Sequence, residues 1–199
     1  MNTEPPPLQP GNNWLRTLAT GPIPATTCGL SPEGFRAVWR IGLRALTPDA
    51  LQHATSIQGT PFARACIVAA ATVCTAPMEW IAVLLARGTH VTLKHPAQAT
   101  GLSSILVDSA QAFGLPLEST SARDAPHSAD LVVAMGTDET IETLRTTLPQ
   151  STRFLGFGHR FSVAWITKQS PCDEEMWSNL ALDIALHDGR GCMSPTVVF

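Results

Sequence analysis

Two patterns in the chain from about Ala65 onward predict an α/β fold with a parallel sheet. First, short apolar segments alternate with longer amphipathic segments, the order expected of a strand–helix repeat. Second, the apolar segments ACIVAAATV and DLVVAMG lack polar positions, as expected for strands that are covered on both faces. The sequence contains neither a GxGxxG fingerprint nor a GxxxxGK phosphate loop, so no standard nucleotide motif is present.

Residues 1–64 are predicted to form an N-terminal arm followed by two short helices. Residues 1 to about 27 are rich in Pro, Gly, Thr and Asn, which favours a loose or extended segment. The tripeptide SPE at 31–33 combines a serine cap with a proline at the first helical position. TPD at 47–49 repeats this signal, so we expect a second helix to start there.

Strands and helices are expected to alternate along residues 65–170. The expected elements are, in order, a strand in ACIVAAATV, a helix from about Pro77 to Ala86 ended by Gly88, a strand in HVTLKH, a helix in GLSSILVDSAQAFG ended by Gly114, a strand in DLVVAMG, a helix in DETIETLRTTL, and strands in RFLGFG and FSVAWI.

Residues 171–199 are predicted to contain one helix and the start of another strand. DEEMWSNLALDIALHDG has helical periodicity, with Met176, Leu180, Ile184 and Ala181 expected to face inward. CMSPTVVF is typical of the beginning of a strand.

Composition argues against several classes of partner. The net charge is −3, and the charged residues, 15% of the chain, show no basic cluster, so neither a nucleic acid nor a membrane surface is expected as partner. The most apolar stretch, Ala63 to Leu85, is interrupted by Pro77 and Glu79, so no membrane span is expected. The N-terminus lacks the basic start and apolar stretch of a signal peptide, and we therefore expect a cytoplasmic protein.

The cysteines predict neither a disulfide framework nor a zinc site, and no other metal site is expected. They are odd in number, widely spaced and without a CxxC pair. We expect four of the five to be small buried hydrophobic residues, the usual role of a free cysteine. The five are Cys28, Cys66, Cys74, Cys172 and Cys192.

Four segments, taken in order, resemble the aldehyde dehydrogenase superfamily. They are TAPMEWIAVLLARGTHVTLKHP at 75–96, ADLVVAMGTDET at 129–140, LGFGHRFSVAWI at 155–166 and DGRGCMSPTVVF at 188–199. The resemblance is closer to one branch, the fatty acyl-CoA reductases of the bacterial luciferase system. Those enzymes look like GHxxS followed by D…GCLSP, similar to GHRFS at 158–162 and GCMSP at 191–195.

The resemblance covers roughly residues 65–199 and implies a domain arrangement. A Rossmann-like parallel sheet of aldehyde dehydrogenase type in residues 65–170 would bind nucleotide, and residues 171–199 would begin a catalytic domain carrying the nucleophile. Related enzymes continue for a couple of hundred residues past that position. A sequence fragment, a split enzyme with a complementary C-terminal subunit, or a degenerate copy would each fit, and a homo-oligomer is compatible with all three.

Cys192 is the nucleophile that the resemblance implies. A cysteine thiolate both attacks a thioester carbonyl and leaves readily, as an acyl-enzyme requires. Arg190, two residues earlier on a predicted strand, shares a face with Cys192 and is a candidate for lowering its pKa. The alternatives are a buried structural thiol and a solvated surface arginine.

Two departures from the superfamily pattern concern catalysis. Residues 155–158 are LGFG where relatives carry a glutamate that activates water, which favours a reductase over an aldehyde oxidase. Thr75 stands near the position of an asparagine that donates to the oxyanion, and its hydroxyl could donate instead. The alternative for Thr75 is a cap of the helix that begins at Pro77.

Cofactor residues are also implied by the resemblance. Lys94 corresponds to a lysine that contacts the adenosine ribose, and no acid follows it in KHPAQ, which permits NADP(H). His95 is a candidate phosphate contact. The alternatives are a solvated lysine at the rim of the sheet and an ordinary surface histidine.

The strand end at Gly136 and Thr137 is a natural phosphate seat, because backbone N–H groups point outward where the next helix starts. A plain helix cap is the alternative for Thr137. His159 and Ser162 match the GHxxS pattern and are candidates for lining the site, or are ordinary polar residues at a strand start.

Three functions follow, in order of preference. The first is NADPH-dependent reduction of a long-chain fatty acyl-CoA to a fatty aldehyde through a Cys192 acyl-enzyme. The second is a non-catalytic NADP(H)-binding module or subunit, in which Cys192 has no reason to acylate. The third is an α/β domain without a cofactor, which would not bind NADPH.

Overall fold

A computed structural model of the chain describes residues 10–26, 28–44, 46–56, 59–71, 73–96, 100–170, 172–189, 191 and 194–198. Its centre is a five-stranded parallel sheet with the spatial order β3-β2-β1-β4-β5. The strands are β1 (Arg64–Val68), β2 (His90–Lys94), β3 (Leu117–Thr120), β4 (Leu131–Met135) and β5 (Arg153–Phe157). The predicted α/β fold with a parallel sheet is therefore confirmed.

Helices connect and cover these strands. They are α1 (Pro10–Thr20), α2 (Pro32–Gly42), α3 (Pro48–Ser56), α4 (Pro77–Ala86), α5 (Thr100–Ala112), α6 (Asp138–Thr147) and α7 (Glu174–Ala185). A separate two-stranded parallel sheet pairs β6 (Val163–Ala164) with β7 (Val197–Val198). The helix predicted from Pro77 to Ala86 has those bounds. Gly114, the predicted helix stop, has a left-handed φ of 69°.

The two faces of the sheet are covered by different helices. Alternate residues of a strand point to opposite faces, and Ala65 and Ile67 pack in the main core with side chains from α1, α2, α4 and α5. Cys66 and Val68 point the other way, into a smaller core closed by Ile141 of α6. Because helices cover both faces, β1 is apolar along its buried length, as the sequence predicted.

The expectation of a loose arm is wrong where the structure describes that region, since Pro10–Thr20 is the helix α1. Its residues Trp14, Leu15 and Leu18 form one apolar stripe that is buried in the main core. The Trp14 indole N–H donates to Ser109 Oγ of α5 at 3.1 Å. The prediction of a loose arm was based on the Pro, Gly and Asn content. Composition contains no information about the helical spacing of the few apolar residues. Residues 1–9 lie outside the described residues.

Both predicted serine and threonine caps are confirmed. Ser31 Oγ accepts a hydrogen bond from the Gly34 N–H at 3.0 Å at the start of α2. Thr47 Oγ1 accepts from the Ala50 N–H at 3.1 Å at the start of α3. These local signals hold because each cap satisfies a backbone N–H of its own helix.

Strand β3 was not predicted from the sequence. Only its first residue, Leu117, is buried, and the other positions of LEST are polar. It is the outermost strand of the order and pairs with β2 alone, so it needs no long apolar pattern.

The predicted inward face of α7 is wrong. Met176 and Leu180 are half-buried, whereas Ala181 and Ile184 are exposed, and no residue of α7 is buried. The amphipathic pattern is present, but burial requires a surface packed over it, and the described residues bury none of its side chains.

The expectation for the cysteines is confirmed at three positions and wrong at one. Cys28, Cys66 and Cys74 are buried free thiols, and Cys172 is exposed. Within the described part of the chain, no three His, Cys, Asp or Glu side chains group as metal ligands would. None of the described helices combines the length and apolar character that crossing a bilayer requires.

The buried stripe of α1 gives a test of this part of the fold. Trp14→Ala removes a side chain with 0% exposure and should lower the free energy of unfolding by about 3–5 kcal/mol. Trp177→Ala, at a tryptophan with 48% exposure on α7, should change it by about 0.5 kcal/mol or less. Urea unfolding of both variants measures the difference, and equal values would contradict the placement of α1 in the core.

Candidate active site

The carboxyl ends of the parallel strands meet at one edge of the sheet, and this edge carries most of the candidate residues. From β1 the chain proceeds outward through β2 to β3, and it then returns to the other side of β1 for β4 and β5. In open α/β sheets, ligands bind at the carboxyl edge where the strand order reverses. Here that point lies between the ends of β1 and β4, next to Ala69 and Gly136.

Lys94 is held at this edge by the sheet itself. It is the last residue of β2, in register with Val68 of β1 and Thr120 of β3, and its carbonyl accepts from the Ala69 N–H at 3.0 Å. Its side chain is half-buried. None of the ion pairs between described residues involves Lys94. A lysine at this edge that has no carboxylate partner among the described residues is suited to an anionic ligand.

His95 follows directly and continues the pairing of β2 with β3. Its N–H donates to the Thr120 carbonyl at 3.2 Å, and its Nδ1 lies 3.0 Å from the Pro96 carbonyl oxygen. The half-buried imidazole ring therefore has a polar contact at Nδ1 with the next residue in the chain.

Gly136 and Thr137 connect β4 to α6 as the sequence predicted. Thr137 Oγ1 accepts from the Thr140 N–H at 3.2 Å, so the helix-cap alternative for Thr137 is present in the structure. The Gly136 N–H donates to the Phe157 carbonyl at 3.2 Å. A Cβ on Gly136 would meet Thr140 at 3.6 Å, an ordinary contact, so packing alone does not require glycine there.

Asp138 is a residue that the sequence reasoning missed. Its Oδ1 accepts from the His159 N–H at 2.8 Å and lies so close to Gly158 that no Cβ fits there. The first two residues of GHRFS are therefore fastened to the start of α6, and the exposed His159 lies near Thr137. The sequence signal was an acid in the first helical turn, which indicates a favourable dipole but not a partner 21 residues away.

Thr75 lies in the loop between β1 and α4 and is buried, with 8% exposure. The cap position of α4 is Ala76 and no side chain caps the helix, so the cap alternative for Thr75 is wrong. Its side chain faces Gly42 of α2, where an added Cβ would lie 2.8 Å from the Thr75 hydroxyl oxygen. The donation of this hydroxyl to an oxyanion stays a prediction.

The surroundings of the three buried cysteines shift their pKa values in different directions. Burial raises the pKa of the Cys66 thiol to about 11, against a smaller lowering by Lys94. A hydrogen bond with Cys74 lowers the pKa of Cys28, and the same bond together with burial raises that of Cys74. Cys66 therefore stays protonated at neutral pH, and a protonated thiol is a poor nucleophile.

The pairing of β6 with β7 brings the two sequence motifs together. The Thr196 N–H donates to the Ser162 carbonyl at 2.8 Å, and Val163 is in register with Val197. GHRFS, which ends at Ser162, and GCMSP, which ends one residue before Thr196, therefore meet at the start of the small sheet. Cys192 and Arg190 lie outside the described residues, whereas Gly191 and Ser194 on either side of Cys192 are described.

The exposed large apolar side chains lie almost entirely in one part of the chain. Among the described residues they are Phe62 and then Phe157, Phe161, Val163, Trp165, Trp177, Leu182, Ile184, Val197 and Val198. We call the nine from Phe157 to Val198 the C-terminal apolar surface. Exposed apolar side chains that form a contiguous patch mark a surface for contact with other protein.

A family model described as acyl-CoA reductase (LuxC) matches residues 112–199. This range contains β3 to β7, both sequence motifs and Cys192. No curated protein sequence matches the chain.

Solved structures of an oxidoreductase and of aldehyde dehydrogenases share the fold at low sequence identity. An oxidoreductase from Marinobacter aquaeolei has a TM-score of 0.71 at 13% identity, over 99% of this chain and 49% of that one. The NAD-dependent aldehyde dehydrogenase of Sinorhizobium meliloti has a TM-score of 0.67 at 16% identity, over 96% and 44%. Succinic semialdehyde dehydrogenase from Streptococcus pyogenes, solved in complex with NADP+, has a TM-score of 0.66 at 9% identity, over 94% and 45%.

The chain thus spans about half the length of these structures. Residues 112–199 thus match the LuxC acyl-CoA reductase family model, and the chain has the fold of aldehyde dehydrogenases.

Proposed function

We propose that the chain takes part in the NADPH-dependent reduction of a long-chain fatty acyl-CoA to a fatty aldehyde in the cytoplasm. Residues 65–170 hold the cofactor, and residues 171–199 bring Cys192 to the substrate. The observation that carries the proposal is the pairing of β6 with β7, which joins GHRFS to the segment of the nucleophile within the LuxC family domain.

In this proposal the Cys192 thiolate attacks the carbonyl carbon of the thioester, and the bond to sulfur breaks so that CoA leaves as its thiolate, which takes a proton from water. NADPH, when bound, supplies the hydride that converts the resulting acyl-enzyme to aldehyde and restores the thiolate. Residues 155–158 hold no carboxylate, so this chain offers no general base there to activate water, and the acyl-enzyme persists until reduction. The backbone N–H of Cys192 and the Thr75 hydroxyl are the proposed donors to the oxyanion.

The carboxyl edge fits a dinucleotide with a 2′-phosphate. Lys94 offers a fixed cation there, and the residues that follow it supply no acid to repel a phosphate. The start of α6 at Gly136 and Thr137 suits the pyrophosphate, since helix N-termini favour anions. The Asp138 carboxylate accepts from the His159 N–H, which directs it toward the following loop. His95 and His159 flank this edge on either side and are proposed secondary contacts.

Cofactor binding is tested at the chain's two lysines. Lys94→Met should weaken NADPH binding by roughly tenfold to a hundredfold, since a charge-assisted hydrogen bond contributes about 1.5–3 kcal/mol. Lys168→Met, at an exposed lysine in a turn, is the matched control and should bind as wild type. Titration of NADPH fluorescence gives both dissociation constants. Equal affinities in the two variants would remove Lys94 from the proposed site.

Acylation tests the nucleophile directly. Mixing the full chain with a long-chain acyl-CoA, without NADPH, should add the mass of one acyl group in intact-mass spectrometry. Cys192→Ala should show no gain, while Cys172→Ala, which removes an exposed thiol, should still acylate. A folded wild-type chain that gains no acyl group would contradict the proposed chemistry.

The second candidate function is a non-catalytic NADP(H)-binding module or subunit. It is favoured by the carboxyl edge of the sheet, where β2 places Lys94 and β4 leads into the start of α6 without any contribution from Cys192. It retains Lys94 and the start of α6 but predicts NADPH binding without acylation. The two experiments above therefore separate the two functions.

The C-terminal apolar surface supports a proposal about assembly. We propose that polypeptide with the remaining part of the catalytic domain, in the same chain or in a complementary subunit, covers this surface. The support is that its large apolar side chains are exposed to solvent in the structure. A homo-oligomer would use the same surface.

Self-association of the chain alone tests this surface. Phe161 and Trp165 are each 71% exposed, and replacing both with Ser should reduce concentration-dependent association in sedimentation velocity. Phe62→Ser, at a phenylalanine with 38% exposure outside the surface, should leave association unchanged. A wild-type chain that stays monomeric at high concentration would argue against an unsatisfied apolar surface.

A further inference from the structure

The turn that precedes Cys192 is bound to a distant helix by one carboxylate. Asp188 lies in the turn Leu186–Gly189, which follows α7. Its Oδ2 accepts from the Ser31 N–H at 3.1 Å, and its Oδ1 accepts from the Ser31 hydroxyl at 3.2 Å. These bonds span 157 residues of sequence and join the turn to the start of α2.

The start of α2 is shaped to receive this carboxylate. A Cβ on Gly34 would lie 2.6 Å from Asp188 Oδ1, so a side chain there would displace the carboxylate. Ser31 also caps α2 through its bond from the Gly34 N–H, so one serine serves the helix and the turn together. A negative charge near a helix N-terminus is electrostatically favourable.

The backbone conformation of the turn requires stabilising contacts with residues outside the turn. His187 and Asp188 have φ values of 57° and 54°, in the left-handed region that residues with a Cβ rarely adopt. Two such residues in succession persist only where surrounding contacts outweigh their strain. The bonds from Asp188 to Ser31 supply such contacts, and the buried His187 side chain supplies packing.

The same turn contacts the residues on both sides of Cys192. Ser194 Oγ donates to the Leu186 carbonyl at 3.3 Å, and the Ser194 N–H donates to the Gly191 carbonyl at 3.0 Å. A Cβ on Gly191 would lie 3.2 Å from His187 Cδ2, so Gly191 lies against the imidazole. Gly191 and Ser194 are thereby fixed relative to the turn, and Cys192 lies between them in the chain.

We propose that Asp188 is a positioning residue for the nucleophile. Its bridge to Ser31 holds the turn, and the turn holds the backbone on both sides of Cys192 in the orientation that thioester attack requires. This inference rests on the proposed acyl-CoA chemistry for its functional consequence. The structural part of the inference, that Asp188 anchors the turn to Ser31, does not depend on that chemistry.

Two measurements on the full chain test the two parts. Single-turnover acylation is followed by intact mass over a range of acyl-CoA concentrations, and hydrogen exchange is followed in the peptide that covers residues 186–198. In Asp188→Ala the maximal acylation rate should fall at least tenfold, with the half-saturating acyl-CoA concentration unchanged. Exchange in 186–198 should be faster, while exchange in β1 and β4 should stay as in wild type.

Conservative and control variants separate positioning from general damage. Asp188→Asn keeps an acceptor for the Ser31 N–H and should recover part of the rate. Ser31→Ala removes the hydroxyl bond and should lie between wild type and Asp188→Ala. Asp183→Asn, at an exposed carboxylate of α7, should behave as wild type. If Asp188→Ala does not fold, the acylation rates of Asp188→Asn and Ser31→Ala test the inference, since both should lie below the wild-type rate.

The outcomes are distinguishable. If a folded Asp188→Ala acylates and exchanges as wild type does, the inference is overturned. It is also overturned if the acylation rates of the variants simply follow their thermal stabilities. A wild-type chain that never acylates refutes the proposed function, and faster exchange in 186–198 of Asp188→Ala then still establishes the anchor. Faster exchange with an unchanged acylation rate overturns the positioning role.

Discussion

The parallel pairing of β1 with β2 on one side and β4 on the other is the constraint on which the rest of the structure depends. Cys66 and Ile67 of β1 have no exposed surface, and each belongs to a different core. Once β1 is buried on both faces and paired on both edges, its carboxyl end and that of β4 must meet. The candidate cofactor residues are brought together by this meeting rather than by any contiguous motif.

Two carboxylates each bind a loop or turn to the start of a helix. Asp138 at the start of α6 accepts from the His159 N–H, and Asp188 binds Ser31 at the start of α2. Each bond fixes a segment that has little regular structure of its own, and in each case a glycine leaves room for the carboxylate, at Gly158 and at Gly34. The small sheet of β6 and β7 completes the arrangement by joining the two anchored segments.

Burial divides the chain into two unequal parts. From α1 to β5 the apolar side chains converge on the two cores, and the sheet is covered by helices that the chain itself provides. From Phe157 to Val198 the apolar side chains are mostly exposed, and α7 buries none of them. Apolar surface is stabilised by removal from water, so this second part gains little from folding on its own.

The sequence alone determined those features in which a residue acts on its own backbone neighbours. The bounds of α4, the caps at Ser31 and Thr47 and the strand pattern of β1 and β4 follow from proline position, hydroxyl caps and apolar continuity. The resemblance of its four segments also agrees with the match of residues 112–199 to the LuxC family model. Tertiary structure decided the helix α1, the pairing of β3, the exposed face of α7 and the Asp188 bridge. Each of these depends on a partner surface or atom far away in sequence, and local periodicity carries no information about such a partner.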